Sequence, residues 1–318
     1  MITRINFDIE GFGKYLDEVP YITTMPGMYD AEMLYQGYNP DDPASFEECY
    51  DWKVYKHFLE KGKITEDPQE SMARSLHDHF VLKGVNSLLS CYSQKSKVVG
   101  VMGGSAMLRT DEAYRNVAVF SKYLTEKGSL LVSGGGPGAM EATSLGALMA
   151  GRDEKCIDEA IEILSEAPRY TDERYLEMAF RVLERFPQTG KYECLAIPTW
   201  LYGHEPTSPF ASKIAKLFEN SVREDMLLTI SYGGLVFAPG SAGTMQEIFQ
   251  EAVQNHYLTL EMSSPMVFLD TKYWTEDIPV YPFLQDLMKK GKYKNLLLSI
   301  TDSPLEAARI IEDFQNTL

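Results

Sequence analysis

From Lys97 onward the chain alternates between short, continuous apolar runs and longer stretches with apolar residues at helical spacing. Apolar runs of this length bounded by glycine read as buried strands, and stripes of period 3.6 read as helices laid on a sheet. Val98–Met102 is the first run and ends in Gly103-Gly104-Ser105; a helix is predicted over about 112–127. The run at 129–132 ends in Ser133-Gly134-Gly135-Gly136-Pro137-Gly138, with a helix to about 150. Further runs fall at 193–197, 235–238, 266–269 and 296–300. Residues 239–243 lead into a helix to about 257, and Asp302-Ser303-Pro304 opens the last helix, where proline is well placed. The alternation predicts the α/β class, a Rossmann-like doubly wound parallel sheet.

Two segments stand outside the alternation. Residues 1–95 carry scattered aromatics, turn signals at 37–43 and a helical stripe of Met72, Leu76, Phe80, Val81, Val85 and Leu88. They are expected to form a mainly helical N-terminal extension, with 96–318 as the nucleotide-binding domain. Residues 153–187 hold two stripes, Ile157/Ala160/Ile161/Leu164 and Leu176/Ala179/Phe180/Leu183, and read as an inserted helical pair. Amphipathic stripes normally mark core faces, which favours a packing or oligomer element over a lid.

Composition narrows the function classes. The chain has 318 residues, 44% hydrophobic, enough for a sizeable core in one or two domains. No run reaches the roughly 18 apolar residues of a membrane span, and the first ten residues lack an apolar leader. The net charge of −16 argues against non-specific nucleic-acid binding, which relies on Lys and Arg, while leaving room for a small anion at a locally positive site. Cys49, Cys91, Cys156 and Cys194 form no CxxC pair and suggest reduced thiols in a cytoplasmic protein. His77 and His79 do not share a helix face, so a metal site is not expected, nor is a redox cofactor.

Three predicted strands end in glycine turns that enter helices. Ligands of open α/β sheets bind beyond the carboxyl ends of the strands, where glycine lets backbone N–H groups approach an anion and the helix terminus adds partial positive charge. The wall is expected from Gly103, Gly104, Ser105, Gly135, Gly136, Gly138, Met140 and Glu141, and the phosphate turn from Gly240, Ser241, Ala242, Gly243 and Thr244. None of the turns is a Walker A loop, and 134–138 lacks the GxGxxG spacing of dinucleotide folds. A mononucleotide or sugar phosphate fits better. Glu247 lies one turn into the helix; position alone leaves open a ligand-facing carboxylate or an N-terminal cap. Arg223 precedes the strand at 235–238, on a helix aimed at the sheet edge, or is a solvated charge.

The segments 134–142 and 239–247 resemble the LOG family, the nucleoside 5′-monophosphate phosphoribohydrolases, whose patterns are GGGxxGxM and PGGxGTxxE. The resemblance spans about 96–316 and is closest in style to the bacterial purine/pyrimidine nucleotide nucleosidases. It implies hydrolysis of the N-glycosidic bond of a nucleoside 5′-monophosphate, with Arg223 and Glu247 as the catalytic pair. Glu205, at the family's spacing, is implied as substrate-binding, and a homodimer or higher homo-oligomer is implied. The alternative is a non-catalytic nucleotide or molybdenum-cofactor carrier of the same fold. Three positions depart from the pattern: Ser241 for the second glycine, Glu224 for the Lys after Arg223, and Gln246 for the first Glu of the pair.

Overall fold

The computed structural model describes residues 9–24, 27–92 and 94–317. Residues 1–8, on which the expected lack of an apolar leader mainly falls, lie outside the described residues. The strands are β1 Val98–Met102, β2 Leu130–Ser133, β3 Cys194–Ala196, β4 Lys213–Ile214, β5 Leu235–Phe237, β6 Pro265–Leu269 and β7 Leu297–Thr301. The helices are α1 Ile9–Glu18, α2 Ala31–Leu34, α3 Tyr50–Glu60, α4 Pro68–Ser90, α5 Glu112–Glu126, α6 Ala139–Leu148, α7 Lys155–Leu164, α8 Tyr175–Arg185, α9 Asn220–Thr229, α10 Ala242–Tyr257, α11 Val280–Lys289 and α12 Pro304–Gln315.

All seven strands are parallel, in the order β4-β3-β2-β1-β5-β6-β7. Strands β1, β2, β3, β5 and β6 are buried along their whole length, as a sheet covered on both faces requires. This is the expected α/β, Rossmann-like architecture. The chain winds outward from β1 to β4, then returns to place β5 against the other side of β1. The order therefore reverses between β1 and β5, and the connections leaving these two strands open a crevice at their carboxyl ends.

Residues 153–187 contain the expected helical pair, α7 and α8. The described part of the N-terminal extension packs at the β4 edge. Tyr29 and Ile214 exchange two backbone hydrogen bonds of 2.8 Å in an antiparallel bridge, which covers an edge otherwise open to pairing. Asp67 caps α4 by accepting from Gln69 N, with Pro68 in the first turn. Buried charge ties this extension to the sheet. Asp51 on α3 accepts from Lys216 Nζ at 2.7 and 2.8 Å and from Trp200 Nε1 at 2.8 Å. Asp78 on α4 accepts from the backbone N–H groups of Phe218 and Glu219, at the entry to α9. His77 joins Asp78 through Nδ1 and Tyr29 through Nε2. Among the described residues no helix is long and apolar enough to cross a membrane.

Candidate active site

The turns after β1, β2 and β5 meet at the crevice. Gly104 N donates to Pro239 O at 2.9 Å, and Gly104 O accepts from Ala139 N at 3.3 Å, so one residue of the β1 turn touches both others. Such contact needs glycine. Gly138 has φ +66°, and a Cβ there would lie 2.3 Å from Gly104 O. A Cβ on Gly240 would lie 2.2 Å from Thr244 Oγ1. Tyr273 OH donates to Gly240 O at 2.7 Å and fixes the β5 turn from outside.

Ser241 is the N-cap of α10, but its side chain makes no capping bond. The first backbone N–H groups of a helix have no intrahelical acceptor. Here they belong to Ala242, Gly243 and Thr244; the first two are exposed, and Thr244 is buried. This is the positive end of a sixteen-residue helix, suited to an anion. Ser241 is exposed as well, so the departure from glycine leaves the turn's backbone open.

Arg223 projects from α9 to the carboxyl ends of β2 and β3. Its Nε donates to Ile197 O at 2.7 Å and one terminal nitrogen to Gly134 O at 3.3 Å. Burial pushes its pKa down, while Glu247, Glu224, Glu205 and Tyr202 push it up. Its remaining N–H groups have no acceptor among the described residues. Glu247 is surrounded by protein atoms yet still reached by solvent, as a pocket-lining group is. Burial pushes its carboxyl up to about 7, with Arg223 pulling it down and Glu224 adding to the rise. The two side chains feel each other's charge without a direct ion pair among the described residues.

Glu205 enters from the segment after β3. Its Oε1 accepts from Ser105 Oγ at 3.0 Å, and its Oε2 is 3.2 Å from where a Cβ on Gly136 would sit. Met140 lies against the same turn, its sulfur 2.7 Å from the corresponding point on Gly134. The structure thus gathers Gly103–Ser105, Gly134–Gly136, Met140, Glu205, Arg223, Gly240–Thr244 and Glu247 around one crevice. Glu141, expected in this wall, is turned inward. Arg109 engages both its oxygens, at 2.9 and 2.6 Å, and Tyr114 and Tyr175 donate to Oε2 at 2.8 and 2.9 Å. A carboxylate buried to this degree needs such partners. The sequence signal for this was that Glu141 is the single charged residue of α6.

The departures at 224 and 246 are connected. Gln246 Nε2 donates to Glu224 Oε2 at 2.8 Å, and Asn220 Nδ2 donates to Oε1 at 2.6 Å. Glu224 therefore fastens α9 to α10, the two helices that carry Arg223 and Glu247. Clefts elsewhere include one of about 470 Å³ beside Lys95 and Tyr232 and one of about 410 Å³ between α4 and α9. Among the described residues no group of three or more His, Cys, Asp or Glu side chains is placed to hold a metal ion.

No protein-family model matches the chain, and no curated protein matches it. Solved structures similar to it include the molybdenum cofactor binding protein from the phototrophic bacterium Rippkaea orientalis, at 16% identity over 68% of this chain and 95% of that one, with a TM-score of 0.42. The Moco carrier protein of Chlamydomonas rheinhardtii is similar at 17% identity over 69% of this chain and 97% of that one, also with a TM-score of 0.42.

Proposed function

We propose that the chain hydrolyses the N-glycosidic bond of nucleoside 5′-monophosphates, releasing the free base and ribose 5-phosphate. The observation that carries this reading is the pairing of Arg223 and a high-pKa Glu247 beside an open helix N-terminus, at the sheet's reversal point. The 5′-phosphate is held by the N–H groups of 242–244 at the positive end of α10. The ribose then lies between Glu247 and Glu205. As the C1′–N bond breaks, its electron pair leaves with the base, and positive charge grows at C1′. A carboxylate there stabilises that charge. Water attacks C1′ and gives a proton to Glu247, which passes it on to solvent; the leaving base takes one proton from solvent, so the products sum to nucleotide plus water and Glu247 is restored. Arg223, fixed by two backbone carbonyls, orients the substrate.

A second reading is a carrier that binds a nucleotide or the molybdenum cofactor without turnover. Ser241 and Glu224 favour it, since both depart from the hydrolase pattern at the ligand. Calorimetry followed by chromatography of the same sample separates the two. Heat of binding with base in the eluate supports the hydrolase; binding with the ligand recovered intact supports the carrier.

A further inference from the structure

The N-terminal extension and the α7–α8 insertion converge on one side of the crevice. The segment 200–205, which ends in Glu205, is clamped from the extension. Asp51 holds Trp200 Nε1, Lys63 Nζ donates to Leu201 O at 3.0 Å, and the Tyr55 ring lies so close to Gly203 that a Cβ there would fall 2.2 Å from it. A segment fixed at three points presents its other side chains in set positions. Those are Tyr202, 42% exposed, and His204, also exposed. Tyr202 is near enough to Arg223 to influence its charge.

The insertion reaches the same place through its α7–α8 turn. Arg109, after the β1 turn, bonds Ala167 O and Tyr175 O, and its guanidinium lies 3.4 Å from the centre of the Tyr175 ring. Arg109 N also donates to Pro168 O. The turn is thereby locked to the Glu141 network and to the wall of the crevice. From it the part-exposed Tyr170 meets His204, ring centres 6.5 Å apart. Among the described residues, the side chains of Tyr170, Tyr202 and His204 make no hydrogen bond.

Tyr202 thus stands near Arg223, His204 precedes Glu205 in the chain, and Tyr170 meets His204 from the insertion. We propose that Tyr170, Tyr202 and His204 form an aromatic rim that takes the base of the nucleotide. This rests on the reading of the crevice as a nucleoside monophosphate site and adds which residues recognise the base. A flat aromatic base can stack on such rings, and stacking tolerates different bases. The extension and the insertion then serve recognition by holding the rim at a fixed distance from the phosphate turn.

The test compares adenosine 5′-monophosphate with ribose 5-phosphate by calorimetry. Glu247→Gln protein keeps the nucleotide from being consumed, and ribose 5-phosphate is also titrated on the wild type to show that the substitution spares binding. The nucleotide is expected to bind at least about tenfold more tightly than the sugar phosphate, the scale of one stacked base. Adding Tyr170→Ala, Tyr202→Ala and His204→Ala together is expected to erase most of that difference and leave ribose 5-phosphate affinity unchanged. A difference that survives the triple substitution overturns the rim. Equal affinity for the two ligands before the substitutions also overturns it, while leaving the phosphate site standing. Binding of neither ligand to any form overturns the nucleotide reading beneath it.

Discussion

Glu247 carries a carboxyl held near neutrality by burial and by the charge of Glu224, against the pull of Arg223. If it accepts a proton from water, it must be ionised, so turnover rises with pH and is half-maximal near 7. Replacing Glu247 with Ala should lower base release by roughly 10²–10⁴-fold, the usual worth of a positioned acid–base group. Glu224→Gln removes a neighbouring negative charge, so the half-point of the rate–pH profile should move below that of the wild type. An unmoved half-point would show that Glu224 only fastens helices. At Gly138, with φ +66° and Gly104 O in the way, alanine should cost more than about 1 kcal/mol and weaken phosphate binding together with stability.

Among the elements, α6 is joined by a buried ion pair to the loop between β1 and α5, whose Arg109 also bonds two carbonyls of the insertion. Arg109 and Glu141 are each 1% exposed, and removing one partner strands the other. Arg109→Ala should cost about 3–5 kcal/mol in urea denaturation, whereas the double change Arg109→Met with Glu141→Met should recover much of it. No recovery would place the cost in the bonds to Ala167 and Tyr175 instead. These partners also show what sequence reading reaches. Six strands were legible because each is an apolar run beside a turn signal. Strand β4 was not: its two residues have no period of their own and are defined by pairing with β3 and Tyr29. The glycine turns were legible because local backbone geometry demands glycine there. Glu141 was misplaced because its partners, Arg109, Tyr114 and Tyr175, are distant in sequence and its motif position points to a pocket. Likewise, Glu224 and Gln246 read as separate irregularities until the fold set one against the other.

Over the whole molecule, the two raised carboxyls of α10 make stability depend on pH. Burial pushes both Glu247 and Glu251 up to about 7 from an ordinary 4.5. Between those values the folded chain keeps protons that the unfolded chain releases. Stability should therefore fall as pH rises through this window, with the full cost present above 7. Glu251 is buried and accepts from Ser264 Oγ at 2.6 Å and Gln254 Nε2 at 3.2 Å. Glu251→Gln should raise Tm at pH 8 relative to its effect at pH 4.5, by about 2–4 °C for each kcal/mol of relief. Equal effects at the two pH values would mean that burial does not hold its proton.

Hydrolysis itself is tested most directly by incubating the purified protein with a panel of purine and pyrimidine nucleoside 5′-monophosphates and identifying the products by chromatography. Free base and ribose 5-phosphate in equal amounts, with release nearly abolished by Glu247→Gln, is the predicted result. No base from any nucleotide, or undiminished release from the Gln variant, would contradict it.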